Sequence, residues 1–555
     1  MKLITTILGF MALAMAVNAQ NGIIKGRVFD PISNEAVPFA NVAIQGTTTG
    51  AVTDFDGYYE ITGLQPGLYN VQASSLGFET VTIFEVQTFN NKVALVNIEM
   101  EPASEMLEAV EVVANPFMKK EEAPVSMRTI GVSEIERNPG GNRDISRVIQ
   151  SLPGVASPPT FRNDIIIRGG APNENRFFLD GVEVPNINHF ATQGASGGPV
   201  GLINVNFIRE VEFYSAAFPA NRGNALSSVF DFSLKEGNPD KLKANFTVGS
   251  SDYGLTLDGP IGEKTSYIFS VRRSYLQFLF TALRLPFLPI YNDAQYKVKT
   301  RINDKNEISF IGLGALDQFD LNEGVNDGVD DAATIERNRY ILGNIASNEQ
   351  WNYTVGATYK HFSENSFQQI VVSRNHLNNT AVKYFNNDES SDANKILDYR
   401  SQEIENKLRI ENTYRKNDWK WNVGVGYEYA TFTNSTFNRF VTASGDVLTA
   451  DFESGLNINK YAAFSQLSRG FIANRLVLSL GIRSDIAGFN EATINPLDQV
   501  SPRFSASYQF ASKWSVNASV GRFYQLPPYT ILGFRDNNNN LVNRQNDITY
   551  ISCDH

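Results

Sequence analysis

The chain has 555 residues, a formal net charge of −11 and no basic block, which excludes a single small domain and argues against a nucleic-acid partner. One cysteine, Cys553, excludes an internal disulfide and a thiolate metal centre. The four histidines, His189, His361, His376 and His555, lack helical metal-ligand spacing, so no metal site is expected.

The chain opens with Lys2, an apolar run over 3–17, and Val17-Asn18-Ala19 before Gln20. This reads as a secretory signal peptide over 1–19, because the run falls short of the roughly 20 residues that a spanning helix needs. No cysteine follows the cleavage position to accept a lipid anchor. Residues 20–102 read as a small β-sandwich, with strands such as 23–28 and 69–73 between turn clusters at Asp54-Phe55-Asp56-Gly57 and Gln65-Pro66-Gly67. Asp54 and Asp56 hint at calcium, but the rest of a twelve-residue ligand loop is missing. Residues 103–120 form a linker holding Leu107-Glu108-Ala109-Val110-Glu111-Val112-Val113-Ala114. That β-prone run has two readings: a strand joining two domains, or an exposed segment able to add to another protein's sheet edge.

Residues 121–237 read as a mixed α/β domain. The pattern predicts a helix over 133–137 capped by Ser133, a second over 144–152 stopped by Pro153-Gly154, and strands over 165–168 and 177–179. Gly194-Ala195-Ser196-Gly197-Gly198 satisfies G-x-S-x-G, but no strand precedes it and no helix follows, so a Gly-rich loop is expected and no catalytic group.

From about residue 238 the pattern becomes two-residue alternation. Trp351, Tyr353, Val355, Ala357 and Tyr359 share one face, as do Trp421, Val423, Val425, Tyr427 and Tyr429. Leu476, Leu478, Leu480 and Ile482 repeat the pattern, as do Phe504, Ala506, Tyr508 and Phe510. Strands of roughly 8–11 residues with one apolar and one small or polar face suit a transmembrane β-barrel. The connection over 318–338 reads as a long polar loop. The apolar stretch 276–290 is broken by Arg284, Pro286 and Pro289 and is not a spanning helix. A soluble sandwich is disfavoured because the alternation runs for about 300 residues, beyond an ordinary domain.

Two resemblances follow from ordered blocks of residues. Gly26-Arg27-Val28-Phe29-Asp30, Pro38-Phe39-Ala40-Asn41-Val42, Thr53-Asp54, Asp56-Gly57-Tyr58-Tyr59 and Gly77-Phe78 resemble the carboxypeptidase-regulatory-like domain, a non-catalytic prealbumin-like sandwich. Leu152-Pro153-Gly154-Val155, Ile167-Arg168-Gly169-Gly170, Phe178-Leu179-Asp180-Gly181-Val182, Ile208-Arg209-Glu210-Val211-Glu212 and Pro219-Ala220-Asn221-Arg222-Gly223 resemble the plug of TonB-dependent receptors. Arg272-Arg273-Ser274-Tyr275-Leu276 and Asn303-Asp304-Lys305-Asn306 look like early barrel strands of the same family.

The resemblance implies a mainly β fold: an N-terminal prealbumin-like β-sandwich, an α+β plug domain over 121–237, and a partial antiparallel transmembrane β-barrel over 238–555. It implies residence in the outer membrane against lipid, import of a scarce solute such as a siderophore, vitamin, peptide or glycan, and energy from TonB and its inner-membrane complex. No cofactor and no enzyme activity are implied. Residues 107–114 then fall where a TonB box belongs. The plug loops over 157–163 and 183–198 face outward in this family, making Phe161, Arg162, Asn188, His189 and Phe190 substrate-contact candidates, though each could equally pack against the barrel wall. Leu152-Pro153-Gly154-Val155 argues against the starch-utilisation subtype. Rival readings are an outer-membrane binding protein of the same fold without transport, or an inactive truncated fragment. The family closes with about 22 strands, and residues 238–555 leave room for about a dozen. The ending Tyr550-Ile551-Ser552-Cys553-Asp554-His555 lacks a terminal aromatic residue, so a truncated chain is expected.

Overall fold

The computed structural model describes residues 22–90, 93–103, 127–141, 143–157, 162–194, 197–215, 217–442, 444–472, 474–511, 514–536, 539–545 and 548–554. The signal-peptide reading, the run 107–114 and Phe161 lie outside the described residues. Two compact units divide the chain, Met1–Pro116 and Phe117–His555.

In the first unit, β1 (Gly22–Phe29), β4 (Tyr58–Leu64), β7 (Val93–Leu95) and β8 (Ile98–Glu99) form one sheet. The other sheet runs β3 (Gly50–Val52), β2 (Asn41–Ile44), β5 (Gly67–Ser74), β6 (Val81–Thr88). Alternate residues Ile24, Val28, Val42, Ile44, Ile61, Val71 and Ala73 are buried between them, as period-two patterning requires. Gly26 is needed where β1 meets the following chain: a Cβ there would lie 1.8 Å from the Val96 carbonyl oxygen. The Asp54 carboxylate accepts the amides of Asp56 and Tyr58 at 3.0 and 2.8 Å, so it closes a turn.

The second unit begins with the mixed domain. Its five-stranded sheet runs β13 (Val182–Val184), β12 (Asn175–Leu179), β17 (Ser228–Leu234), β16 (Ile208–Ser215), β9 (Met127–Gly131). Only β12 and β17 pair in parallel. Helix α1 (Val132–Arg137) starts one residue earlier than expected, on Gly131, with no side-chain cap, so Ser133 is not the cap. Helix α2 (Ile145–Gln150) is capped by the Asp144 side chain. Two short pairs, β10 (Val155–Ala156) with β11 (Ile166–Ile167) and β14 (Asn188–His189) with β15 (Val200–Gly201), shape its loops. Phe177, Phe230 and Phe213 stack through the core, with centroids 5.4 and 4.7 Å apart.

Fourteen antiparallel strands follow, each paired with its sequence neighbour: β18 (Lys243–Val248), β19 (Asp252–Pro260), β20 (Thr265–Ser274), β21 (Phe287–Asn303), β22 (Asn306–Leu321), β23 (Ser347–Ser363), β24 (Ser366–Tyr384), β25 (Lys395–Lys416), β26 (Trp419–Val441), β27 (Val447–Phe471), β28 (Leu476–Ala487), β29 (Val500–Ala511), β30 (Trp514–Gln525) and β31 (Ile551–Asp554). Connections at one end are short, as at 304–305, 364–365 and 417–418. At the other end lie long loops such as 275–286, 322–346 and 526–550. The apolar face points outward: Trp421, Val425, Tyr427 and Tyr429 are exposed while Asn422, Gly424 and Ala430 are buried. Ile311, Leu313 and Ala315 of β22 and Val371 of β24 instead join the mixed domain's core, so that domain is seated on the inner face.

Two expectations need correction. The strands β21 to β27 have 16 to 25 residues, against the expected 8–11. On β26 the outward apolar band stops at Tyr429, and Thr431, Thr433 and Ser435 continue the same face, so the ladder extends past the bilayer on polar residues. The stretch 318–338 is also not all loop. Gln318 to Leu321 belong to β22, and helix α3 (Leu276–Ala282) and helix α4 (Ala332–Asn344) stand in the outer connections, α4 capped by Asp331.

Candidate functional site

The mixed domain meets the wall along two seams. At the first, β14 places His189 between two wall carboxylates. Nδ1 lies 2.7 Å from Asp317 on β22 and Nε2 lies 3.2 Å from Asp293 on β21, all three fully buried. With both ring nitrogens facing carboxylates, the ring is an imidazolium donating twice. Burial pulls its pKa down, but Asp317 and Asp293 outweigh burial and hold it up at about 9. Arg272 of β20 donates to both Asp293 oxygens at 3.0 Å and to the Gly201 and Leu202 carbonyls at 3.1 and 2.6 Å. The His189 ring lies against Tyr291, tilted by 30° with centroids 4.2 Å apart. Gln350 of β23 accepts the Ala191 amide at 3.0 Å and donates to its carbonyl at 2.7 Å.

The 183–198 loop is tied down from within as well. Asn188 accepts the Ser146 hydroxyl at 2.7 Å, and Asp144 accepts the Gly201 amide at 2.7 Å and the Asn163 side chain at 2.8 Å. Burial raises the Asp144 pKa, offset in part by the Gly201 and Ser146 amides. Gly198 must be glycine, since a Cβ would sit 1.9 Å from the His189 carbonyl oxygen.

At the second seam, wall arginines reach main-chain carbonyls. Arg503 of β29 donates to Phe218, Pro219 and Arg222 at 3.1, 2.5 and 2.8 Å, its guanidinium lying over the Phe218 ring. Arg483 of β28, paired with Asp485, donates to Ala220 at 3.2 Å, and Gln466 of β27 accepts the Ala220 amide at 2.7 Å. Between the seams a cavity of about 120 Å³ is lined by Phe178, Glu183, Lys407, Glu428 and Tyr550, with Glu183 and Lys407 3.0 Å apart across it.

Of the sequence candidates, Asn188 and His189 are fully buried and Phe190 is half-buried. Arg162 is also half-buried, paired with Asp164 at 2.9 Å and bonded to Thr192 at 3.1 Å. Sequence reasoning missed Asp293, Asp317, Arg483 and Arg503. Their signal was a charge on the inward face of a strand whose outward neighbours are apolar.

Residues 24–112 match the CarboxypepD_reg-like domain, residues 119–229 the TonB-dependent Receptor Plug Domain, and residues 292–548 the TonB dependent receptor-like, beta-barrel. The chain belongs to the TonB-dependent receptors. Its plug is thus the mixed domain, its wall the fourteen-stranded sheet, and its location the outer membrane. Members of this family are receptors and transporters, not enzymes.

The chain is 25% identical to the TonB-dependent transporter Oar of Myxococcus xanthus over 45% of its own length and 26% of that protein's. It is 27% identical to the TonB-dependent receptor SusC of Bacteroides thetaiotaomicron over 37% of its own length and 20% of that protein's. Among solved structures, a ferric enterobactin receptor (PfeA) mutant from Pseudomonas aeruginosa superposes with a TM-score of 0.55 at 15% identity, covering 76% of this chain and 65% of that one. The outer membrane transporter YddB from Escherichia coli gives 0.52 at 13%, covering 73% and 62%. The match to Oar therefore spans about a quarter of that relative's length.

Proposed function

We propose that this receptor imports a scarce solute across the outer membrane, with force delivered by TonB. One observation carries the reading: the plug sits on the inner side of the wall, and among the described residues hydrogen bonds, ion pairs and packing hold it there. Such a seal is tight at rest and can be remodelled by a pull on the chain before it. Leu107, Glu108, Ala109, Val110, Glu111, Val112, Val113 and Ala114 come just before the plug in the sequence, and this β-prone run is the one to which TonB would add as a strand. Arg162 and Phe190, with Phe161, are the solute contacts in this reading. The buried Asn188 and His189 position them.

The test is a photo-crosslinker at Val110 in cells making TonB, alone and with Val112→Pro, which removes a main-chain donor. Crosslinking to TonB, lost together with uptake in the proline variant, is the expected outcome. Uptake and crosslinking that both survive the proline overturn the assignment.

A further inference from the structure

Four phenylalanines climb from the plug apex to the mouth of the wall. Phe190 stands on the plug, and Phe319 on β22 meets it edge-on at 6.4 Å. Phe287 at the start of β21 stacks on Phe319 at 5.3 Å, with ring planes 17° apart. Phe280 of α3 then meets Phe287 edge-on at 5.5 Å. Phe319 shares the inward face with Asp317, two residues before it, which binds His189. Each of the four rings is half-buried, so the ladder is neither closed core nor lipid-facing band.

The plug holds its end of the ladder in an unfavourable conformation. Phe190 has φ of 57°, a left-handed geometry that a bulky residue rarely adopts. What enforces it is visible. The Phe190 amide donates to Asp317 Oδ2 at 2.8 Å, next to the buried His189 contact, and the Ala191 amide and carbonyl are both held by Gln350. Strain maintained by this many neighbours beneath a half-buried ring points to a displayed ring. A core phenylalanine would need none of it.

We propose that Phe190, Phe319, Phe287 and Phe280 form a solute subsite for a ligand presenting a flat aromatic or apolar face. This rests on the import reading and narrows its substrate class. Phenylalanine offers no hydroxyl or N–H, so the ladder rewards ring stacking and apolar burial, whereas a bare sugar chain needs convergent polar groups.

The probes are diazirine-labelled tri-phenylalanine, with tri-serine and maltotriose carrying the same label as comparators. Each is photolysed on the receptor in outer-membrane vesicles from cells lacking TonB. Tri-phenylalanine is expected to label the stretch 280–320 saturably and about tenfold above either comparator, and Phe319→Ser should abolish that preference. Because Phe319 lies in a strand, Phe280→Ser on the outer helix is the second variant and should weaken labelling without disturbing the wall. Equal labelling by maltotriose, or labelling unchanged in both variants, overturns the subsite. No transport occurs in these vesicles. A failure here therefore leaves the TonB crosslink result standing, and a loss of that result leaves this one standing.

Discussion

The two seams hold the same plug by different chemistry. At β20 to β22 a plug side chain joins the backbone in the contact: His189 lies between Asp293 and Asp317, while Arg272 also holds the Gly201 and Leu202 carbonyls. At β27 to β29 the wall supplies the side chains and the plug offers mostly its backbone, at Phe218, Pro219, Ala220 and Arg222. The first seam therefore depends on one protonated imidazole and on two buried carboxylates. The second tolerates changes to plug side chains, because a carbonyl remains whatever residue carries it.

The strongest way to break this contrast is Asp293→Ala. It strips a partner from both Arg272 and His189 and leaves buried charges uncompensated, which costs about 3–5 kcal/mol. The urea midpoint for protease access to the plug should fall accordingly. Phe218→Leu at the second seam should cost less, because the carbonyl contacts survive it. Equal losses in the two variants would show that the seams are not distinct.

A pH series sharpens the same point. The folded pKa of His189, about 9, lies above its ordinary 6.5. The stability it contributes is therefore complete below pH 6.5 and is lost as pH rises through 9. The difference corresponds to roughly 3 kcal/mol. The contacts of the second seam, through Arg503, Arg483 and Gln466, include no imidazole. Protease access should rise with pH at the 183–198 loop. In a His189→Gln variant that response should vanish.

Legibility in the sequence followed the range of the interaction. Outward residues such as Trp421 to Tyr429 were readable because lipid imposes a local, two-residue pattern on each strand. The helix over 145–150 was readable from Asp144 and the Pro153-Gly154 stop. Strand length was not, because β26 continues past Tyr429 on threonine and serine that read as loop residues. The partners of His189 lie 104 and 128 residues away, and no periodicity carries that information. Ser133 misled because it looks like a cap, while the chain enters the helix at Gly131 from a strand paired with β16.

The smallest expected effect reverses a usual ranking. Phe190→Ala and Phe190→Gly remove the same ring contact with Phe319, so the loss of stacking cancels between them. Elsewhere glycine costs more than alanine, since it loses more freedom on folding. At φ of 57° the order inverts, because alanine keeps the Cβ that clashes in a left-handed backbone and glycine does not. Glycine should therefore be the more stable by about 1 kcal/mol. The Asp317 and Gln350 hydrogen bonds to the Phe190 and Ala191 backbones are what would hold that geometry in both variants. Urea midpoints of the two variants, read by protease access to the 183–198 loop, give the comparison. If alanine matches or exceeds glycine, the loop relaxes once the ring is gone, and the strain belongs to the phenylalanine's own packing. If glycine leads, the first seam imposes the strain and the ring is displayed by the scaffold beneath it.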